Sequence, residues 1–90
     1  MKILASTRVY ETYEDYAASG KFDAGQLKQI FWGFSKGLSP KSISLYADPA
    51  FNHAQMECIY MALSRGAPRR LVTFMADPRF DVNQMRELKF

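Results

Sequence analysis

Apolar residues recur along this chain in a pattern that itself recurs. Leu27, Ile30, Phe31 and Phe34 stand at i, i+3, i+4 and i+7, the spacing of one helix face; Met56, Ile59, Tyr60 and Leu63 repeat it 29 residues later. The same shift superposes Phe22, Phe51 and Phe80, then Asp23, Asn52 and Asp81, then Gln26, Gln55 and Gln84. Leu27, Met56 and Met85 coincide, as do Ile30, Ile59 and Leu88. Further on, Lys36 and Gly37 fall on Arg65 and Gly66, Ile43 on Val72, and the tripeptide Ala47, Asp48, Pro49 on Ala76, Asp77, Pro78, without a gap. Chance similarity seldom keeps polar punctuation and apolar spacing together, so the chain reads as an internal repeat.

Each unit carries the signals of a long helix followed by a short one. Asp23, Asn52 and Asp81 stand where an N-cap oxygen accepts from free helix amides, and a Gln follows three residues later each time. The preceding Phe is placed to pack on Leu27, Met56 or Met85 as a hydrophobic staple. Gly37 and Gly66 supply the left-handed residue that ends such a helix, with Lys36 and Arg65 in its last turn. Ser39 before Pro40 predicts the start of the short helix, and Pro68 predicts a start one position earlier in the next unit. The short helices are expected to run to about Ala47 and Ala76, where the Asp-Pro pairs push the chain out of the helical region.

The expected fold is all-α: a small right-handed helical-repeat stack of alternating long and short helices, about five or six in all. One domain spans 1–90, with a cap segment at 1–21, repeats at 22–50 and 51–79, and a truncated third at 80–90. In the cap, Tyr13, Tyr16 and Ala17 lie at helical spacing behind a Thr12 and Asp15 cap, while 1–5 reads as either a strand or a loose arm. The last unit stops inside its long helix, leaving a face carrying Met85, Leu88 and Phe90 for self-association, as in a homodimer.

Composition narrows the class. Ninety residues, 48% hydrophobic, fit one small core and exclude a two-domain enzyme. The charge of +3 is neither a disordered tail nor an acidic mimic of nucleic acid. No apolar run reaches the roughly 18 residues of a membrane span and residues 1–6 have no long apolar region of a signal peptide, so a cytoplasmic protein without membrane contact is expected. The single Cys58 makes no internal disulfide.

Candidate chemistry is sparse, and no enzyme activity, metal or cofactor is expected. His53 is the only histidine, and HExxH, CxxC and phosphate-loop spacings are missing. His53 and Cys58 fall about 140° apart around one helix, which separates them. The basic residues say more. Residues 1–23 hold three cations and four anions, whereas 24–90 hold nine and five, so the repeats carry the positive balance. Lys36, Lys41, Arg65, Arg69 and Arg70 gather around the glycine turns, where stacking would align them. They form either a solvated corner or a receptor for phosphate or carboxylate, because Lys41, Arg69 and Arg70 lie at short-helix starts where the helix dipole disfavours cations. Tyr10, Tyr13 and Tyr16 are expected to pack on the first repeat. Trp32 and its counterpart Met61 flank the apolar face, as inter-repeat packing or as an exposed binding patch.

The pattern F-[DN]-x-x-Q-[LM]-x-x-[IL], then [GA]-[FL]-x-[KR]-G, then A-D-P-x-F, resembles tandem helical repeats in small uncharacterised bacterial proteins of plasmids, phages and conjugative elements. It covers about residues 22–90. Ala62 replaces the helix glycine at Gly33, and the Arg69, Arg70 pair makes its turn more basic than the family's. The resemblance implies a mobile-element protein, many of which bind and disable host defence proteins such as CRISPR nucleases, and it carries over no catalytic residue. The expectation is a non-enzymatic protein-binding module with Lys36, Lys41, Arg65, Arg69, Arg70, Trp32 and Met61 as partner-binding residues. The alternative is nucleic-acid binding through the basic turns.

Overall fold

The computed structural model describes residues 9–88. The strand-or-arm question at 1–5 and the self-association residue Phe90 lie outside them. The described chain is all helical: α1 (Tyr13–Ala18), α2 (Ala24–Lys36), α3 (Pro40–Ser44), α4 (His53–Ser64), α5 (Arg69–Met75) and α6 (Val82–Glu87). The helices α1, α2, α4 and α6 pack on one another in that order, and the short α3 and α5 pack on α2 and α4.

The start signals work as written. Thr12 Oγ1 accepts from the amide of Asp15 at 3.2 Å to begin α1. Asp23, Asn52 and Asp81 each accept from the Gln amide three residues on, and each Gln returns a bond to the cap amide, giving a full capping box at α2, α4 and α6. Gly37 and Gly66 stand at φ of 90° and 84°. There the amides of Leu38 and Ala67 reach back to the carbonyls of Gly33 and Ala62, each at 3.0 Å. This doubly bonded stop absorbs the last carbonyls of a helix and needs the left-handed residue that glycine supplies without strain.

The glutamines also join one unit to the next. Gln26 Nε2 donates to the carbonyls of Phe51 at 2.7 Å and Pro49 at 3.3 Å, and Gln55 Nε2 donates to those of Phe80 at 2.6 Å and Pro78 at 3.3 Å. Both side chains are buried. One amide thus caps its own helix through Oε1 and holds the turn that delivers the following helix through Nε2.

Between the two helix layers lies a single core. Ile30 and Ile59 come from the long helices, Ile43 and Val72 from the short ones, and Tyr46, Phe51, Met56, Met75 and Met85 fill between them. Tyr16 closes the α1 end, 1% exposed, with its ring against those of Tyr10, Phe22 and Phe34. The expected packing of the tyrosines on the first repeat is what is seen, although Ala17 faces solvent.

Several expectations are corrected. Pro68 occupies the N-cap position, not the first helical turn, so α5 begins at Arg69, in register with α3, and has no side-chain cap. The α3 helix ends at Ser44, short of Ala47, and continues to Ala47 as tight turns bonded to Ser42 and Ile43 carbonyls. Phe31 is 51% exposed, and from α1 the Tyr13 ring meets it in an edge-to-face contact. Met85 is 1% exposed, so it belongs to the core and to no open self-association face. With extents of 33 × 30 × 22 Å, this stack is not an elongated rod and offers one face, not a long concave arc.

The long and short helices of the two units pack on each other through different residues at equivalent places. In the first unit, Gly33 lets Tyr46 and Ile43 lie directly on α2: a Cβ there would collide with the Tyr46 hydroxyl and sit 3.0 Å from Ile43 Cγ1. Tyr46 donates its hydroxyl to the Gln29 carbonyl at 2.8 Å. In the second, all three change together, to Ala62, Val72 and Met75. A methyl gained on the helix is matched by smaller or more pliable side chains opposite.

Two outcomes are expected. Gln55→Ala should lower stability by about 1–3 kcal/mol, since a buried carbonyl and a cap amide lose their partners, whereas Gln84→Ala should cost at most about 1 kcal/mol. Gly33→Ala should destabilise by about 1–3 kcal/mol and be rescued by adding Ile43→Val and Tyr46→Met. Thermal unfolding reads both, at about 4–8 °C per kcal/mol; additive effects in the second series would refute the packing argument.

Candidate interaction surface

The residues able to do chemistry stay apart. His53 is exposed in the first turn of α4, its Cβ 3.3 Å from where a Cβ on Gly25 would stand. Cys58 is half-buried on the same helix. Burial pushes its thiol above the usual cysteine range, which disfavours the thiolate, while the charge of Arg86 opposes this and Glu57 adds to it. Among the described residues no three His, Cys, Asp or Glu side chains gather to hold a metal. No described helix is long and apolar enough to cross a membrane.

Aromatic rings form the most developed surface. Tyr13 on α1 meets Phe31 on α2 edge-on, with centroids 5.5 Å apart, and Trp32 on α2 meets Tyr60 on α4 at 6.0 Å. Phe31 and Trp32 are consecutive on α2 and so project about 100° apart, which makes these two separate aromatic pairs. Trp32 and Met61 are each 37% exposed, and Trp32 also packs across the units on Tyr60. Lys28 Nζ stands 5.9 Å from the Trp32 ring, a cation over an aromatic face.

Beyond Met61 the surface opens into a groove of about 420 Å³ between α4, α5 and α6. Met61, Cys58, Arg65, Arg86 and Glu57 stand around it, while Ala62, Met75 and Met85 lie buried beneath them. At the equivalent place one unit earlier, the Tyr46 and Tyr60 rings lie 6.4 Å apart and Trp32 meets Tyr60; Met75 stands where Tyr46 stands.

The basic residues Lys36, Lys41, Arg65, Arg69 and Arg70 are all exposed. One contact aligns the two glycine-turn corners: Arg69 Nη2 lies 3.4 Å from Ser42 Oγ, bringing the start of α5 to α3. The helix N-termini themselves are poor anion receptors. Ser39 already occupies an amide at the start of α3, and helices of five and seven residues sum few peptide dipoles. Any anion recognition here falls to the side chains. Arg79 is committed elsewhere, in an exposed pair with Asp77 at 2.8 Å, which holds the Asp77 carboxyl below its usual range.

Sequence reasoning missed three features. Phe31 shares the spacing of the apolar face, yet it is half-exposed, which depends on what neighbouring elements lay over it. Phe74 is 60% exposed and touches Phe80 at 5.7 Å; its position off the Val72 and Met75 stripe was a usable signal. Cys58 is half-buried and lines the groove, which no local pattern announces.

The rate of Cys58 alkylation by iodoacetamide should track its thiolate, so half-maximal reactivity should fall above the roughly 8.5 of a free cysteine. Arg86→Ala removes the cation that favours the thiolate and should move that midpoint higher still. A midpoint at or below the free value would contradict the buried position.

No known family model, curated protein sequence or solved structure matches this chain, so its surface is read from its own geometry.

Proposed function

We propose that this protein is a non-enzymatic helical-repeat module that binds another protein through the exposed flank of Trp32 and Met61, with the basic turns beside it. The observation that carries this reading is the exposure of large apolar side chains at equivalent places on α2 and α4. Trp32 and Met61 are each over a third exposed, and Phe31 next to Trp32 in the chain is half-exposed. An exposed Trp flanked by cations is the usual make-up of protein-binding hot spots. The resemblance to mobile-element repeat proteins makes a host defence protein, CRISPR nucleases included, the partner class to test first, with inhibition by occupancy as the mode of action. Self-association through the C-terminal end is less favoured, because Met85 is enclosed and only Leu88 remains of the described candidates.

Direct nucleic-acid binding is the second reading, favoured by the Arg69 to Ser42 contact that draws the two basic corners together. The two readings differ in one experiment. Tagged protein is used to capture partners from bacterial lysate with and without nuclease, beside Trp32→Ala and a Lys41, Arg69 and Arg70 triple alanine variant. Protein binding predicts nuclease-resistant capture that Trp32→Ala reduces. Nucleic-acid binding predicts capture that nuclease abolishes and an affinity falling steeply with salt, as for roughly three to five phosphate contacts. Capture unchanged in both variants would overturn the proposed surface.

A further inference from the structure

We infer that the row Lys28, Trp32 and Lys36 on α2 is the docking site for an acidic helix of the partner, which sets two carboxylates against the two lysines and one apolar side chain against the indole. This rests on the protein-binding reading and names the chemistry of the partner segment. The three residues stand at i, i+4 and i+8 of α2, and all three are exposed. Steps of four residues place them roughly 6 Å apart along the helix axis. Lys28 Nζ lies 5.9 Å from the centre of the Trp32 ring, and Tyr60 of α4 packs on that ring at 6.0 Å. The indole is thus braced from α4 and in turn holds a cation. No described carboxylate neutralises that cation, because the one ion pair among the described residues is Arg79 with Asp77. A carboxylate arriving at Lys28 meets an ammonium already localised over an aromatic face, so less side-chain freedom is lost on binding.

Charge complementarity sets the sign of the occupant. Over 24–36 and 53–65, the formally charged residues are Lys28, Lys36 and Arg65 against Glu57. The aligned row on α4 reads Glu57, Met61 and Arg65, with an anion where α2 has Lys28. A segment with a carboxylate at each end is matched by α2 and opposed at one end by α4, which separates two otherwise equivalent rows. The step of the row sets the occupant's conformation: a helix laid along α2 presents Glu, a large apolar residue and Glu at the same one-turn intervals. Helix on helix is also how α1, α2, α4 and α6 already meet.

The probe is a fluorescein-labelled, alanine-based helical peptide with Glu, Leu and Glu at i, i+4 and i+8, titrated into the full chain at about 50 mM salt to limit screening. Anisotropy reads affinity, and the emission of Trp32, the single tryptophan, reads the place of binding. Binding should saturate below about 1 mM, shift the Trp32 emission, and weaken about fivefold when both Glu become Gln, the loss expected for two exposed ion pairs. Trp32→Ala should weaken it about tenfold or more. Lys28→Glu with Lys36→Glu, both on exposed surface, should abolish binding of the Glu peptide and confer binding of the matching Lys peptide.

Equal affinity of the Glu and Gln peptides would overturn the inference, as would the absence of saturable binding or a charge-reversed chain that ignores the Lys peptide. An alanine between the two Glu replaced by proline without loss of affinity would overturn it too, since the occupant would not be a helix. A single-stranded oligonucleotide that shifts Trp32 emission at lower concentration than the peptide would make the occupant nucleic acid, and emission that changes on dilution of the free chain would make it a second copy; either result counts against the inference. Failure of the broader reading shows instead as lysate capture that Trp32→Ala leaves unchanged, so the two fail separately.

Discussion

The buried amides of Gln26 and Gln55 set the geometry on which everything else rests. Each is shared between two tasks: its oxygen completes a helix cap, and its nitrogen holds the carbonyl of the Phe that precedes the next helix. A buried amide left unpaired costs about 1–3 kcal/mol, so helix start and unit spacing cannot vary independently. That coupling turns a local sequence motif into a fixed offset between successive long helices. The staple Phe51 is carried into the core by the turn that its own carbonyl helps hold.

A fixed offset makes the two units comparable position by position. With the backbone spacing set, volume must balance locally, because interiors tolerate neither overlap nor large voids. The first unit balances a missing methyl at Gly33 against the Tyr46 ring. The second balances the Ala62 methyl against Val72 and the flexible Met75, all three buried, with the groove outside them. Trp32 and Met61, at equivalent places on α2 and α4, reach the surface.

Electrostatics follow the same frame. The glycine turns end both long helices at equivalent corners, so the cations beside them recur, and Arg69 bridges one corner to the next. These side chains are exposed and largely without acidic partners, while the only described ion pair, Arg79 with Asp77, sits within a turn. Stability therefore owes little to charge, and the positive balance of the repeats is available for recognition.

Much of this was legible in the amino-acid order because it is enforced over short stretches. Capping boxes, left-handed glycine stops and apolar spacing each act within one or two helical turns, so the six helices, their starts and most of the core followed from residue types. Even so, Pro68 was misplaced by one position, since the sequence alone does not say whether a proline precedes or opens a helix. The surface was different. Phe31 and Met85 carry the same apolar signal, yet one is half-exposed and the other enclosed. Their fates depend on the placement of neighbouring helices, α4 lying over the second while Tyr13 of α1 meets the first edge to face. The groove likewise belongs to no single segment: it arises from side-chain volumes contributed by three helices, and only their assembly in space determines whether those volumes meet or leave a gap.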